Sequence, residues 1–252
     1  MNLLSITGIF IILMHVALPF LIFFVDNMLL FAVSLLITFY ISHFLGLSLT
    51  YHKLFSHRSF VPRTWVAYLG TFINIVGGKG SPQSYAVIHR MHHKYADTDL
   101  DPHTPKYHWY HAYAFMFFCH HVMKKIPENE RRNSVEDLFR DFPWIRKLTK
   151  ISQLIIMVVF YTGICLISYD VFIAVIVANL FSIHVGCLIN LIGHQVCGST
   201  VCTINRPWLS TFLGPSFNHA QHHAHPGNYN ESTRNSVDFL AWLIPRFLSK
   251  KI

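Results

Sequence analysis

Residues 28–57 read MLLFAVSLLITFYISHFLGLSLTYHKLFSH, a long apolar run that leads into two histidines. The part from 28 to 50 contains no Asp, Glu, Lys or Arg and is long enough to cross a hydrocarbon layer of about 30 Å. We therefore predict a membrane span that ends just before His52. The i, i+5 spacing of His52 and His57 does not keep one face of an α-helix, so the helix is expected to end or distort between them.

Two further histidine clusters share the spacing H-x-x-H-H. On a helix, residues i, i+3 and i+4 lie on one face, so each cluster can direct three imidazoles at one point. Imidazole is the commonest side-chain metal ligand and suits iron, zinc and copper. Eight histidines are more than one ion binds, so the sequence predicts two metal ions side by side. The candidates are His52, His57, His89, His92, His93, His219, His222 and His223.

The composition is that of a membrane protein. Of 252 residues, 52% are hydrophobic and only 13% are charged, and the mean hydropathy is +0.38. No linker divides the chain, which predicts a single domain over residues 1–252. Besides 28–50, we predict spans at 3–25, 151–168 and 171–193. Two shorter apolar segments, 65–77 and 237–248, are expected at the membrane interface.

The charges set the expected orientation. All 20 Lys and Arg lie between the second and third spans or after the fourth, and the short loops inside each pair of spans carry only Asp26 and Asp170. The positive-inside rule then places residues 51–150 and 194–252, with both termini, in the cytoplasm. This topology explains the net charge of +8, so no nucleic-acid partner is predicted.

The predicted fold is an all-α integral membrane protein: four transmembrane helices with a cytoplasmic helical cap carrying a dinuclear metal site. The membrane would be a bacterial inner membrane or the endoplasmic reticulum. His15, His43 and His184 lie within spans and are expected to bond neighbouring helices, and His103 to belong to an interfacial aromatic segment. The five cysteines form no C-x-x-C pair, and we do not expect Cys197 and Cys202 to be bonded.

The three histidine clusters resemble the histidine boxes of membrane fatty acid desaturases, most closely the acyl-CoA Δ9 type. The flanks share this resemblance, with Gly-Ser-Pro at 80–82 and HRMHHKYADTDLDPH at 89–103. In that type a further ligand comes from N-x-x-x-H, which here is Asn190 to His194. The third box departs from the common G-E-G-x-H-N-x-H-H, because residues 214–223 read GPSFNHAQHH and lack the acidic residue. The regiochemistry and the acyl carrier are therefore left open.

The resemblance implies two iron ions held by nine histidines, with Asn190 holding a metal-bound water. The ligands would be His52, His57, His89, His92, His93, His194, His219, His222 and His223. The implied reaction is O2-dependent removal of two hydrogens from a fatty acyl chain, giving a cis double bond. The acyl group would be linked to CoA, a carrier protein or a lipid, and electrons would come from an external carrier such as cytochrome b5 or ferredoxin.

Asp101 follows the second box and is a candidate to accept a hydrogen bond from a ligand histidine. The sequence supports equally the interpretation that Asp101 belongs to a solvated acidic loop. Basic residues near the boxes, such as Arg58 and Lys94, could bind a CoA or lipid phosphate, although the positive-inside rule also explains them.

Two other functions stay open. A related di-iron enzyme could insert oxygen as a lipid hydroxylase or epoxidase, and box spacing separates these outcomes poorly. A non-enzymatic membrane metal protein, such as a transporter, would place its ligands inside the bilayer along a path between the two faces. Here the boxes are predicted to gather on one side, which favours the enzyme.

Overall fold

The computed structural model describes residues 6–106, 108–198 and 200–250. In these ranges the α-helices are α1 (Ile6–Leu21), α2 (Met28–Tyr40), α3 (Thr64–Val76), α4 (Pro82–Tyr95), α5 (Trp109–Tyr113), α6 (Phe115–Met123), α7 (Glu128–Asn133), α8 (Glu136–Asp141), α9 (Lys150–Ile167), α10 (Tyr169–Gly193), α11 (Pro207–Leu213), α12 (His219–Ala224) and α13 (Phe239–Leu243). α2 and α13 continue as π-helices, Ile41–Ser56 and Ile244–Leu248. The 3-10 turns are Ile22–Phe24, Pro143–Lys147 and Pro215–Phe217. Strands β1 (His194–Cys197) and β2 (Thr200–Thr203) form an antiparallel hairpin, with His194 opposite Thr203.

Three helices in the described part of the chain are long and apolar enough to cross a membrane. They are Met28–Ser56, Lys150–Ile167 and Tyr169–Gly193, and they match three of the four predicted spans. The fourth, at 3–25, begins in residues 1–5, outside the described residues. Its described part is α1 with a 3-10 turn, in which Ile11–Phe24 is a shorter apolar helix than the three candidate spans. The four-span arrangement therefore stays a prediction.

The helix of the second predicted span, 28–50, does not stop before His52 but continues through it to Ser56. From Ile41 the helix is wound as a π-helix, and the His57 N–H donates to the His52 carbonyl at 3.2 Å. Because this i→i+5 bond closes about one turn, the two histidines lie on nearly one face, with ring centroids 4.9 Å apart. The predicted distortion between the two histidines is confirmed, as a change of winding that begins before the box.

α10 is the central helix of the bundle and packs against α1, α2, α5 and α9. Residues on one side of α10, such as Ile173, Ala174 and Ala178, are fully buried. α9 instead turns apolar side chains outward, and Leu166 and Ile167 are more than four-fifths exposed. Outward apolar faces on long helices are what a lipid environment requires, because lipid tails accept no hydrogen bonds.

The polar turn before α2 meets the first turn of α10 at one end of the bundle. The Asp170 carboxylate accepts from the backbone N–H of Asp26 at 2.9 Å and of Asn27 at 3.3 Å. Asn27 also caps α2, accepting from the Leu30 N–H, and Ser168 caps α10. Both helices therefore start at this end and run to the histidines at the other.

Histidines within the predicted spans bond neighbouring helices, as expected. His15 and His184 bring their Nε2 atoms within 2.9 Å, and the Tyr113 hydroxyl lies 2.6 Å from His184 Nδ1. His43 Nδ1 lies 3.3 Å from the Ser182 hydroxyl. These contacts join α1, α5 and α10 and join the π-helix to α10. They account for the three histidines as interhelical polar contacts.

The β-hairpin after α10 is one place where the sequence-based expectation was wrong. Cys197 and Cys202 are joined in a disulfide. In the antiparallel register Cys197 lies opposite Thr200, and Cys202 lies opposite Gln195. The pairing of the strands therefore brings the Cα atoms of Cys197 and Cys202 to 6.0 Å, within the range a disulfide needs.

Lys79 is half-buried in the loop between α3 and α4. It donates to the Ser42 hydroxyl at 2.6 Å, and no carboxylate of the described residues pairs with it. Burial lowers the pKa of Lys79 to about 7, from about 10.5 in the unfolded chain. The folded protein therefore binds this proton less tightly than the unfolded chain does. Its stability falls as pH decreases from about 10 to about 7 and is then constant with respect to this group.

Replacing Lys79 with Met is expected to stabilise the protein more at pH 6.5 than at pH 9.5. The difference should be a few kcal/mol, since each pKa unit corresponds to about 1.4 kcal/mol. Thermal unfolding midpoints in detergent at the two pH values would measure it. Lys147→Met, at an exposed lysine, serves as the control and should change stability by less than about 0.5 kcal/mol. An equal gain from Lys79→Met at both pH values would contradict the prediction.

Candidate metal centre

All nine histidines predicted as ligands lie together at the end of the bundle away from the Asp170 turn. Eight form two groups of four whose ring nitrogens lie within 4.8 Å of one another. The first tetrad is His52, His57, His89 and His222, and the second tetrad is His92, His194, His219 and His223. His93 lies between them, with Nε2 2.9 Å from His222 Nε2 and its ring stacked on His223 at 4.3 Å.

Four chain segments supply these side chains, and local sequence fixes each one. The π-helix supplies the first box. α4 supplies the second and begins with Ser81, whose hydroxyl accepts from the Ser84 N–H at 3.1 Å, followed by Pro82 in the first turn. His194 is the first residue after α10, and α12 carries the third box.

Arg90, next to His89, ties the first box to the second. Its guanidinium donates to the carbonyls of Phe55 and Ser56 at 2.7 and 2.8 Å. It also pairs in a bidentate manner with Asp137, at 2.6 and 3.1 Å. A planar guanidinium with five donors suits this arrangement, and it fixes α4 against the end of the π-helix.

The nitrogens facing the centre of the second tetrad cannot all be hydrogen-bonded to one another. His194 Nδ1 lies 3.0 Å from the Asp97 carboxylate, and His219 Nδ1 lies 3.3 Å from the Ser216 carbonyl. Both partners are acceptors, so each Nδ1 carries the proton and each Nε2 presents a lone pair in the neutral ring. Yet the two Nε2 atoms are 2.8 Å apart. Two lone pairs at that distance repel unless a cation lies beside both.

The distances between ligand nitrogens fit such a cation. Successive Nε2 pairs in the two tetrads are 2.8–3.2 Å apart. Two imidazoles bound at about 2.1 Å and at right angles on one ion would place their nitrogens about 3.0 Å apart. The donor set is nitrogen alone, which suits a transition metal rather than magnesium or calcium. The histidines are therefore compatible with a metal site.

Carboxylates lie beside the outer nitrogens of several of these histidines, and those of Asp101 and Asp97 are within hydrogen-bond distance. Asp101 Oδ1 lies 2.9 Å from His92 Nδ1, and Asp97 Oδ1 lies 3.0 Å from His194 Nδ1. Glu231 Oε1 lies 3.4 Å from His222 Nδ1. Such contacts fix the tautomer and orientation of a ligand histidine. Asp101 thus lies where its predicted role requires, whereas Glu231, from a loop after the third box, was not singled out from the sequence.

Burial keeps these imidazoles neutral. It lowers the pKa of His57, His89, His219 and His222 well below the usual value, and the neighbouring imidazoles lower it further. A neutral imidazole is the form that binds metal. Burial also raises the pKa of Asp101 to about 7. Hydrogen bonds from the backbone N–H groups of His103 and Asp97 oppose this effect and lower the pKa.

Asn190 and His103 complete the surroundings. Asn190 is half-buried one helical turn before His194, and it lines the same cavity as His52, His89 and His219. His103 was predicted to belong to an interfacial aromatic segment. It is instead buried, with its ring centroid 3.9 Å from that of His92. The Asp-Pro-His spacing could have indicated this, because Asp101 accepts from the His103 backbone N–H at 3.0 Å.

A cavity of about 1280 Å³ adjoins the histidines. Its wall includes His52 and His89 and also apolar side chains of the bundle, such as Ile75, Met157 and Ile183. A cavity that reaches from a metal site to apolar helices can take a long apolar ligand.

Comparison with known proteins agrees with this geometry. A family model described as fatty acid desaturase matches residues 27–229, most of the chain. The chain belongs to the fatty acid desaturase family. Delta-9 acyl-lipid desaturase 1 of Arabidopsis thaliana is 30% identical over 221 residues, which cover 81% of this chain and 68% of that protein. The sn-1 stearoyl-lipid 9-desaturase of Synechocystis sp. is 26% identical over 211 residues, 81% of this chain and 64% of that protein.

This desaturase is an oxidoreductase of lipid metabolism and a membrane protein. Delta-9 acyl-lipid desaturase 2 of Arabidopsis thaliana is similar over a comparable length, at 29% identity, with 83% of this chain and 69% of that protein covered. The region matched by the family model contains all nine histidines and both aspartates that contact them. Acyl desaturation, predicted from the histidine boxes, is therefore confirmed as the family's activity.

Gly193 lets α12 approach the end of α10. A Cβ at this position would lie 2.6 Å from two ring atoms of His219. Gly193→Ala is therefore expected to displace that imidazole and lower metal content and turnover about 10-fold or more. Metal analysis of the purified protein measures this. Gly163→Ala is the control, because a Cβ there has no atom within 4 Å, and it should leave both unchanged.

Proposed function

We propose that this desaturase uses two iron ions and O2 to introduce a cis double bond into a fatty acyl chain. The observation that carries the proposal is the pair of histidine tetrads, in which successive Nε2 atoms lie 2.8–3.2 Å apart beside a cavity with apolar walls. The proposed ligands are the eight tetrad histidines and His93, with Asn190 reaching the metal through a water. Asp101 is proposed to hold His92.

The reaction favours iron over zinc. An aliphatic C–H bond has no charge to bind and no acidic proton, so its cleavage needs an oxidant that side chains cannot supply. Zinc is redox-inert, whereas iron binds imidazole and changes oxidation state. Bound iron with O2 would supply that oxidising power.

The electron balance requires a partner. Reduction of O2 to two waters takes four electrons, and the two hydrogens removed from the acyl chain supply two. An external carrier, such as cytochrome b5 or ferredoxin, would supply the other two. We propose that residues 1–252 form one domain. Its histidine end, with residues 51–150 and 194–252 and both termini, would lie in the cytoplasm. A soluble carrier could reach it there.

The residues of the chain would position the acyl chain and the metal ligands. The cavity wall brings apolar side chains and the histidines into one space, so an acyl chain in it would lie beside the metal site. The carboxylates of Asp97 and Asp101 hold two imidazoles from behind. The acyl carrier is proposed to be a lipid, since relatives of this chain are acyl-lipid desaturases by name.

The proposal is tested by the fatty-acid profile of cells that express this chain with a reductant supply, compared with a His92→Ala control. Monounsaturated chains absent from the control are expected, and their double-bond position gives the regiochemistry. Separation of membrane lipids from acyl-CoA before analysis would show which carrier holds the new double bond. New hydroxy or epoxy chains would overturn desaturation in favour of oxygen insertion.

A further inference from the structure

Lys53 is a fully buried cation next to the first histidine of the first box. Its side chain is 1% exposed. An ammonium group has three donors, and here each has an acceptor. They are Glu231 Oε1 at 2.8 Å, Asp238 Oδ2 at 3.0 Å and the Tyr229 carbonyl at 2.9 Å. Glu231 and Asp238 are equally buried, so this is a closed ion triad.

The triad contacts one tetrad. The Glu231 oxygen that binds Lys53 lies 3.4 Å from His222 Nδ1 and 3.8 Å from His52 Nδ1. His222 Nδ1 has no hydrogen-bond partner among the described residues. Both histidines belong to the first tetrad, whereas Asp97 and Asp101 contact histidines of the second.

The chain also fixes the backbone of Glu231. Its N–H donates to Asp238 Oδ2 at 3.2 Å, and its carbonyl accepts from Asn218 Nδ2 at 2.7 Å. Asn218 directly precedes the third box. The loop that carries Glu231 is therefore joined to both boxes that supply His52 and His222, and the carboxylate has little freedom to move away.

We propose that Glu231, held by Lys53 and Asp238, is the positioning residue for the first tetrad, so that one of the two metal positions depends on this triad and the other does not. The inference rests on the proposed di-iron function. A carboxylate behind Nδ1 keeps the proton on that nitrogen and directs the Nε2 lone pair inward. Glu231 Oε1 lies behind both imidazoles, 3.4 Å from His222 Nδ1 and 3.8 Å from His52 Nδ1, and Lys53 holds it in place. His52 Nδ1 also lies 3.3 Å from the Ser216 hydroxyl.

The test is iron binding by the purified full-length protein, with Glu231→Gln compared with Asp97→Asn. The protein is loaded with limiting ⁵⁷Fe, and iron content and Mössbauer spectra are recorded. Glu231→Gln should weaken one metal position about 10–100-fold, leaving near one iron per chain and altering one of two signals. Asp97→Asn should alter the other signal. Glu136→Gln, at an exposed residue paired with Arg146, should leave both unchanged.

Two results would overturn the inference. One is two irons with an unchanged spectrum in Glu231→Gln, and the other is an equal loss at both positions. If Glu231→Gln folds poorly, the double variant Lys53→Met/Glu231→Gln removes both charges of the buried ion pair. The Asp238 carboxylate would still accept hydrogen bonds from the backbone N–H groups of residues 231 and 241. The same loss of one iron is expected there. Absence of two irons in the unmodified protein would instead count against the proposed function.

Discussion

Replacing His222 or His92 with alanine is expected to lower desaturation more than about 100-fold. Loss of a partner behind a ligand typically costs 10–100-fold in metal affinity or activity, and loss of the ligand should cost more. The two residues test different tetrads, since His222 lies in the first and His92 in the second. The measurement is monounsaturated product per milligram of purified protein, together with bound iron per chain.

His225→Ala is the matched control for these variants. His225 follows the third box but is exposed and belongs to neither tetrad. It should retain nearly full activity and iron. Full activity in both His92→Ala and His222→Ala would rule out the di-iron assignment, whereas loss in the His225 variant as well would indicate general misfolding.

Replacing Asp101 with Asn is expected to reduce iron affinity about 10–100-fold while the protein stays folded. The Asp101 carboxylate is 0% exposed and accepts from three donors: His92 Nδ1 at 2.9 Å, the Asp97 N–H at 2.8 Å and the His103 N–H at 3.0 Å. An amide of the same shape has only one acceptor oxygen, so it cannot satisfy all three. Iron titration and turnover measure the loss.

Asp99→Asn provides a close comparison, because Asp99 is two residues away, 71% exposed and paired with exposed Lys106. Exposed pairs of this kind contribute little to stability, so its iron affinity should not change. If the two variants lost affinity equally, the acidic loop would act by its charge alone. That result would favour the alternative of a solvated loop.

Much of the site was predictable, because its signals are local. The i, i+3, i+4 spacing of His89, His92 and His93 is visible in the sequence, and so are the long apolar runs that became α9 and α10. Glu231 was not predictable. It follows His223 by eight residues, without a helical period, and reaches His222 only because the intervening loop folds back. The sequence contains no signal for that return.

The winding of the second span was predicted only in part. The i, i+5 spacing of His52 and His57 indicates a local distortion, but the π-helix starts at Ile41, well before the box. This segment also packs closely against α3. Gly70 of α3 leaves room for Thr50, since a Cβ at 70 would lie 1.9 Å from its hydroxyl. A close approach between segments that are distant along the chain produces no periodic pattern in the sequence.

The π-helix has a consequence for how this chain can vary in length. If residues 41–57 were rewound as an α-helix, His57 would turn about 140° away from His52 around the axis. A substitution in this segment leaves the rotational phase of the box intact, but loss or gain of one residue shifts it. Chains of this kind should therefore tolerate almost no deletions or insertions between Ile41 and Ser56.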